Sequence, residues 1–434
     1  MSGNRGPIVL AFSGGLDTSY CVPWLAETYG RPVVTVTVDT GGLDEAAAVE
    51  LERHARQLGA VDHLRVDARR AYFERVLRFL VAGNVRRGGL YPLCVGAERA
   101  LQAQEVARAA QHFGSDTVAH GCTAAGNDQV RFEVALRALA PELEVLAPIR
   151  DFPKSRAEEA AYLAERGFAV PPSGSGGAAY SINRGLWGTT IGGRETLGSG
   201  EPLAEEAWVL TRSAFAVRLP NSSHRIGFTR GVPTSFDGEA LEPVALVEKV
   251  EAVAAPFGIG RGIHLGDTVL GIKGRVAFEA PAAEVLLTAH RELEKLVLTG
   301  RQQRLKEAVA AFYGDWVHEG HHLDPACRDA EALLASSQER VTGEVRVLFR
   351  PGSLFVEGVT SPYSLMAASR GTYGEAATEW TSADAAGFAR LLAVPGSLYE
   401  RAGRQAAALA AADEPSGVTV GGAVTTPAPA GESR

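Results

Sequence analysis

The sequence predicts an α/β fold: a first domain built on a doubly wound parallel sheet, then an α+β domain, then a C-terminal tail. Three observations predict it. From Ile8 to about Arg166, short β-branched runs alternate with helical stretches of roughly 12 to 16 residues, the pattern of parallel strands joined by crossover helices. The first strand opens into Ser13-Gly14-Gly15-Leu16-Asp17-Thr18-Ser19, where two glycines permit a tight turn and a helix begins at once. Beyond Val170 the texture changes to prolines and glycines, and then to short stretches that read as antiparallel strands.

Ile8 to Phe12 read as the first strand, and the residues after Gly15 as a helix that continues through Glu27. Pro32 to Val38 form a buried strand closed by Asp39-Thr40-Gly41-Gly42, and Leu43 to Leu58 a helix stopped by Gly59. His63 to Val66 is a strand, Ala68 to about Ala82 a helix. Residues 84–100 are polar, glycine-bearing and aromatic, and they precede a helix from about Leu101 to Phe113. Thr117 to His120 and Glu144 to Pro148 add strands, and Ser155 to Arg166 a helix ended by Gly167.

Pro171 to Gly177 is a flexible connection and the expected domain boundary. Residues 178–200 read as a long glycine-rich loop suited to a substrate. Ala207 to Thr211, Ala214 to Leu219 and His224 to Phe228 read as antiparallel strands, and Pro243 to Phe257 as a helix. Ile263 to Lys273 and Gly274 to Glu279 follow a glycine turn, then helices from about Ala282 to Leu298 and Gln302 to Tyr313. Strands return from Val341 to Val356, and Ser382 to Leu391 is a short helix. From about Ala406 the chain is too poor in large apolar residues to pack, and disorder is expected there. The expected domains are 1–170, 171–400 and a tail of 401–434.

Composition narrows the class. A chain of 434 residues, 46% hydrophobic and 22% charged, suits a soluble enzyme of about two to three domains. Its net charge of -8 supplies no global field for nucleic acid, which leaves room only for a local basic patch, and no run of about 18 apolar residues suggests a membrane span. Without a signal-peptide pattern, a cytoplasmic location is the expectation. Cys21, Cys94, Cys122 and Cys327 have neither disulfide nor zinc spacing. Only five of the 43 basic residues are lysine, so a single arginine says little about function.

Two strand ends carry the chemistry. The loop from Ser13 to Ser19 combines exposed N–H groups, hydroxyls and a helix N-terminus, which suits a phosphate. No lysine precedes Lys154, so it is not a Walker A loop. The bland alternative is a capped turn without a ligand. After Thr117 to His120 comes Gly121-Cys122-Thr123-Ala124-Ala125-Gly126-Asn127-Asp128-Gln129-Val130-Arg131-Phe132-Glu133. This set can hold an amino-acid zwitterion, Arg131 or the helix N-terminus taking its carboxylate and Asp128 an ammonium or a magnesium ion. Its bland alternative is a helix capped by Asn127 or Asp128. In one parallel sheet both strand ends face the same crevice, which favours the functional reading.

Two other motifs are set aside. Gly174, Gly176 and Ala179 satisfy a dinucleotide pattern, but prolines and no strand precede them. His318-Glu319-Gly320-His321-His322 matches HExxH, yet Gly320, with Gly314, Asp324 and Pro325 nearby, predicts a turn rather than one helix face, and no zinc is expected.

The two clusters together resemble the argininosuccinate synthases, members of the PP-loop ATP pyrophosphatases. The SGGLDTS run is shared by that superfamily, and Gly126 to Glu133 is far narrower. The resemblance continues through Tyr180-Ser181-Ile182-Asn183, Gly185-Leu186-Trp187, Gly258 to Arg261, Gly271 to Arg275, Phe278-Glu279-Ala280 and Ser336 to Gly343, covering about residues 7 to 400. It implies an adenine nucleotide alpha hydrolase-like first domain and a synthetase and oligomerisation domain. It also implies ATP-dependent joining of L-citrulline and L-aspartate through a citrullyl-adenylate, with Mg2+, in a homotetramer.

The resemblance also implies roles for residues. Ala11, Phe12, Ser13, Gly14, Gly15, Leu16, Asp17, Thr18 and Ser19 would hold ATP. Val38 would contact adenine, and Gly121, Cys122 and Thr123 would continue the nucleotide site. Thr123, Asn127 and Asp128 would bind aspartate; Tyr91, Asn127, Arg131, Ser181 and Thr190 would bind citrulline. Asp17, Asp128 and Arg131 would carry catalysis. Three positions depart from the family, all on the citrulline side: a serine becomes Gly96, a glutamate becomes Gly266 with Asp267 adjacent as its substitute, and a tyrosine becomes Phe278. The competing readings are a PP-loop ligase for another ureido or amide acceptor, and a non-catalytic nucleotide sensor.

Overall fold

In the computed structural model, which describes residues 6–171, 180–216, 218–369 and 379–412, the expected alternation forms a five-stranded parallel sheet. Strands β1 (Ile8–Ala11), β2 (Val33–Asp39), β3 (Asp62–Asp67), β4 (Thr117–His120) and β5 (Glu144–Leu146) lie in the order β3-β2-β1-β4-β5. Helices α1 (Leu16–Tyr29), α2 (Glu45–Gln57), α3 (Arg69–Tyr72), α4 (Arg78–Gly83), α5 (Arg99–His112), α6 (Asn127–Leu139), α7 (Pro148–Asp151) and α8 (Arg156–Glu165) connect and follow them. A π-helical turn, Phe73–Leu77, separates α3 from α4.

Alternation along β1 dictates the two layers. Ile8 and Leu10 pack on one face with Tyr20 and Leu25 of α1, Ala55 of α2 and Leu163 of α8. Val9 faces the other side, with Val36, Val118, Val106 of α5 and Leu136 of α6. Helices therefore cover both faces. The strand order reverses between β1 and β4, and a ligand crevice belongs outside the strand ends there.

The remainder of the first unit holds two antiparallel sheets. Strands β6 (Tyr180–Gly185), β7 (Gly188–Gly193), β8 (Ser222–Thr229), β9 (Val232–Phe236), β10 (Glu239–Ala240), β11 (Arg261–Asp267), β12 (Lys273–Glu279), β13 (Gly343–Arg350) and β14 (Ser353–Thr360) pair as β10-β9-β8-β13-β14 and β11-β12-β7-β6. Helices α9 (Pro243–Ala254), α10 (Pro281–Val297), α11 (Gly300–Glu319) and α12 (Pro325–Ser337) complete it. One apolar core joins Tyr72, Leu77 and Val81 to Trp187, Leu246, Leu286, Tyr313 and Val347. Residues on both sides of position 170 thus share a core.

Several expectations need correction. The stretch read as a glycine-rich loop is, from Tyr180 on, the hairpin β6–β7; the connection at 172–177 and the pattern at Gly174, Gly176 and Ala179 lie outside the described residues. Ala207 to Thr211 is not a strand. The buried Glu279 carboxylate instead gathers the N–H groups of Val209, Leu210 and Thr211 at 2.9, 3.0 and 2.7 Å, holding the segment as a loop. Ala214 to Ala216 is a turn rather than a strand.

The chain divides into two units after Met366. A short helix, α13 (Leu365–Ala368), spans that division. The second unit contains α14 (Ser382–Leu392) and α15 (Val394–Ala412), neither with a buried residue. Residues 406–412 are helical, against the expectation of disorder from about 406; alanine, the best helix former, dominates them. Residues 413–434 lie outside the described residues. Among the described residues no helix is long and apolar enough to cross a membrane.

Candidate active site

At the switch point the ends of β1 and β4 open on a cavity of about 820 Å³. The loop after β1 forms one wall. Gly15 is the N-cap of α1 and gives no side-chain cap, so the first N–H groups of the helix are left for an anion. Ser13 Oγ lies 3.2 Å from Thr18 Oγ1, which donates to the Gly15 carbonyl at 3.3 Å. Ala11, Phe12, Ser13, Gly15, Leu16, Asp17 and Thr18 all line the cavity. Ser19 is fully buried behind the loop, 2.9 Å from His54 Nε2, and supports it from the far side. Gly14 likewise does not line the cavity.

Asp17 has a carboxyl neighbour. Burial, and then the Asp17 carboxylate, push the buried Glu159 of α8 up to about 7. Opposite, Val38 and the β2 end form the next wall. Thr40 Oγ1 donates to Glu98 Oε2 at 3.0 Å, and the Thr40 carbonyl receives Leu186 N at 2.9 Å. That contact docks the β6–β7 turn on the sheet and brings Ser181 and Thr190 to the same cavity.

The β4 end supplies Gly121, Cys122, Thr123, Asn127, Asp128 and Arg131. Asn127 does not cap its helix; Gly126 is the N-cap, and Asn127 Oδ1 accepts from Val269 N at 2.9 Å, tying α6 to the β11–β12 turn. Asp128 sits between two arginines. Its Oδ1 accepts from Arg131 Nη1 at 2.8 Å, and its Oδ2 lies 3.0 Å from Arg99 Nε. Burial raises its carboxyl, but Arg99 and Arg131 outweigh that and hold it at about 2. Arg99 Nη1 also donates to buried Glu98 at 2.9 Å. His120, at the end of β4, is lowered to about 4 by burial and then by Arg150, so it is neutral at ordinary pH.

The remaining predicted residues are placed less simply. Tyr91 lines the cavity, yet its hydroxyl donates to the Val95 carbonyl at 2.9 Å while its ring stacks on His264. Asp267 does not line the cavity; it is exposed and ion-paired with Lys273. Of the three departures, Gly96 faces the Arg131 guanidinium, Gly266 lies against the His264 ring, and Phe278 packs 5.2 Å from Tyr91.

Sequence reasoning missed Glu98, Arg99, Gln102 and His318, all of which line the cavity. Arg99 had no distinguishing mark in a chain whose basic residues are nearly all arginine. His318 lies in the HExxH match, whose glycine pattern hides any other role for it. Helix α11 ends at Glu319, with Gly320 left-handed at φ 93° as its cap. His318 turns to Arg131 while His322 lies 3.3 Å from the Arg75 carbonyl, so the two rings serve different partners. Among the described residues no cluster of three or more His, Cys, Asp or Glu side chains is arranged to hold a metal.

Comparison with known proteins adds the family. Residues 7–169 match the arginosuccinate synthase N-terminal HUP domain, and residues 180–399 the arginosuccinate synthase C-terminal domain. The chain is 41% identical over 403 residues to the argininosuccinate synthase of Xanthomonas campestris pv. campestris, spanning 92% of this chain and 99% of that protein. It is 38% identical over 392 residues to that of Methanocaldococcus jannaschii, spanning 90% and 97%. With that of Pyrobaculum aerophilum it shares 40% over 361 residues, spanning 82% and 89%.

Proposed function

The chain belongs to the argininosuccinate synthase family, and we infer that it joins L-citrulline to L-aspartate using ATP, releasing AMP and pyrophosphate in arginine biosynthesis. The observation that carries this reading is the single cavity in which an uncapped loop and helix start at β1 face the Asp128–Arg131 pair of α6.

The chemistry asks for positioning rather than a protein nucleophile. A ureido oxygen leaves poorly, so it first attacks the α-phosphate of ATP; the O–P bond forms and the bond to pyrophosphate breaks. The aspartate amine then adds to the activated carbon, and AMP departs with the former ureido oxygen. In this reading Ala11 to Thr18 form the ATP loop, with Ser13, Gly15, Asp17 and Thr18 at the phosphates and Gly14 and Ser19 as support behind them, and Val38, Gly121, Cys122 and Thr123 take the nucleoside. Thr123, Asn127 and Asp128 bind aspartate, its ammonium on the Asp128 carboxylate. Tyr91, Asn127, Arg131, Ser181 and Thr190 surround citrulline, with Arg131 for its carboxylate. Asp267 holds the β11–β12 turn through Lys273.

Mg2+ enters this reading with the nucleotide. Asp17 is the one carboxylate the loop offers to such an ion, and phosphates and waters would supply the other ligands while the ion offset the phosphate charge. The division at 170/171 into ATP-binding and synthetase domains follows the proline- and glycine-rich stretch read from the sequence; a cytoplasmic location belongs to the same reading, and a homotetramer rests on the family resemblance.

The test is a substrate screen on the purified protein with ATP and magnesium. Pyrophosphate release should require citrulline, and argininosuccinate should appear once aspartate is added. Turnover with another ureido compound and none with citrulline would overturn the acceptor and leave the adenylation chemistry standing.

A further inference from the structure

His318 reaches across the cavity to the residue assigned to the acceptor. Arg131 is 5% exposed and its guanidinium is held at every nitrogen. Nε donates to the His318 carbonyl at 2.7 Å, Nη1 to Asp128 at 2.8 Å, and Nη2 lies 3.1 Å from His318 Nδ1. A guanidinium can only donate, so Nδ1 must accept and the imidazole proton must reside on Nε2. One hydrogen on each terminal nitrogen of Arg131 is left for a ligand.

We propose that His318 is a positioning residue for the acceptor amino acid, latching the Arg131 guanidinium over Gly96 so that its remaining hydrogens meet the acceptor carboxylate. The inference rests on the reading of Arg131 as the carboxylate contact. Three further observations support it. His318 is 7% exposed and lines the same cavity, although it comes from α11, far along the chain. The guanidinium occupies the space a side chain at position 96 would need, since a Cβ there would lie 2.6 Å from Nη1. The cap of α11 is fitted to the same residue, with a Cβ on Gly320 falling 3.1 Å from Arg131 Cα. The latch also stays neutral: burial, then Arg131, Arg87 and His264 around it, hold the ring at about 3. It therefore keeps its acceptor throughout the physiological range.

The geometry predicts which substitutes work. Asparagine places its amide oxygen near the Nδ1 position; glutamine carries it one bond too far, and phenylalanine has no acceptor. His318→Phe and His318→Gln should each raise KM for citrulline roughly tenfold, as expected for losing one hydrogen bond to a charged group. KM for ATP and aspartate should move less than about twofold, and His318→Asn should recover most of the loss. In an Arg131→Lys background His318→Phe should add little, because the latched group has gone. Equal rises in all three KM values, or an Asn variant as poor as Gln, would reduce His318 to a packing role and overturn the proposal. Arg131→Lys with an unchanged citrulline KM would overturn the reading of Arg131 itself, and that result is separable because it does not involve His318.

Discussion

Asp128→Asn should lower kcat/KM for aspartate by about a hundredfold or more while the protein stays folded. The substitution keeps the shape and removes the charge. In the native site that carboxylate is shared by Arg99 and Arg131, whose side chains are 11% and 6% exposed. Without it Arg99 retains Glu98 and Arg131 retains His318, so each guanidinium keeps a partner and the fold is spared. The aspartate ammonium, in contrast, loses its counter-charge and meets two arginines instead. Because Asp128 is held at about 2, the loss should be the same at every pH from 6 to 9. Steady-state kinetics with each substrate varied in turn, beside circular dichroism, checks this. Near-normal kinetics for aspartate would mean that the ammonium binds elsewhere.

Gly96→Ser should damage the enzyme even though it restores the residue the family resemblance leads one to expect there. Gly96 has φ 102°, a conformation costing an L-residue on the order of 1–3 kcal/mol. The new Cβ would lie 2.6 Å from Arg131 Nη1 and 2.9 Å from its Cζ, so the guanidinium must move and leave Asp128 and His318. KM for citrulline should rise about tenfold to a hundredfold with ATP binding little changed. A lower KM would show that a serine hydroxyl and Arg131 fit the acceptor side together.

What could be read in the sequence was local. The loop from Ser13 to Ser19, the strand ends and the Thr123 to Arg131 cluster depend on neighbours in the chain and on the rule that parallel strands open to one side. What could not be read depends on partners far apart. Asn127 looks like a cap by sequence and is a tie to Val269. His318 looks like half of a zinc motif and is a latch for a residue on α6. Residues 207–211 are apolar enough to read as a strand, but a buried glutamate at 279 competes for their N–H groups and wins. No periodicity encodes such pairings. The extension of helix through Ala412 shows the opposite case, where local propensity overrode a reading based on the lack of packing.

In this mechanism citrulline's ureido oxygen is adenylated and then leaves with AMP. Citrulline carrying a heavy oxygen isotope in its ureido group tests it directly, by mass spectrometry of the products after turnover with ATP and aspartate. One labelled oxygen should appear in each AMP and none in pyrophosphate. Unlabelled AMP, or label found in pyrophosphate, would contradict it.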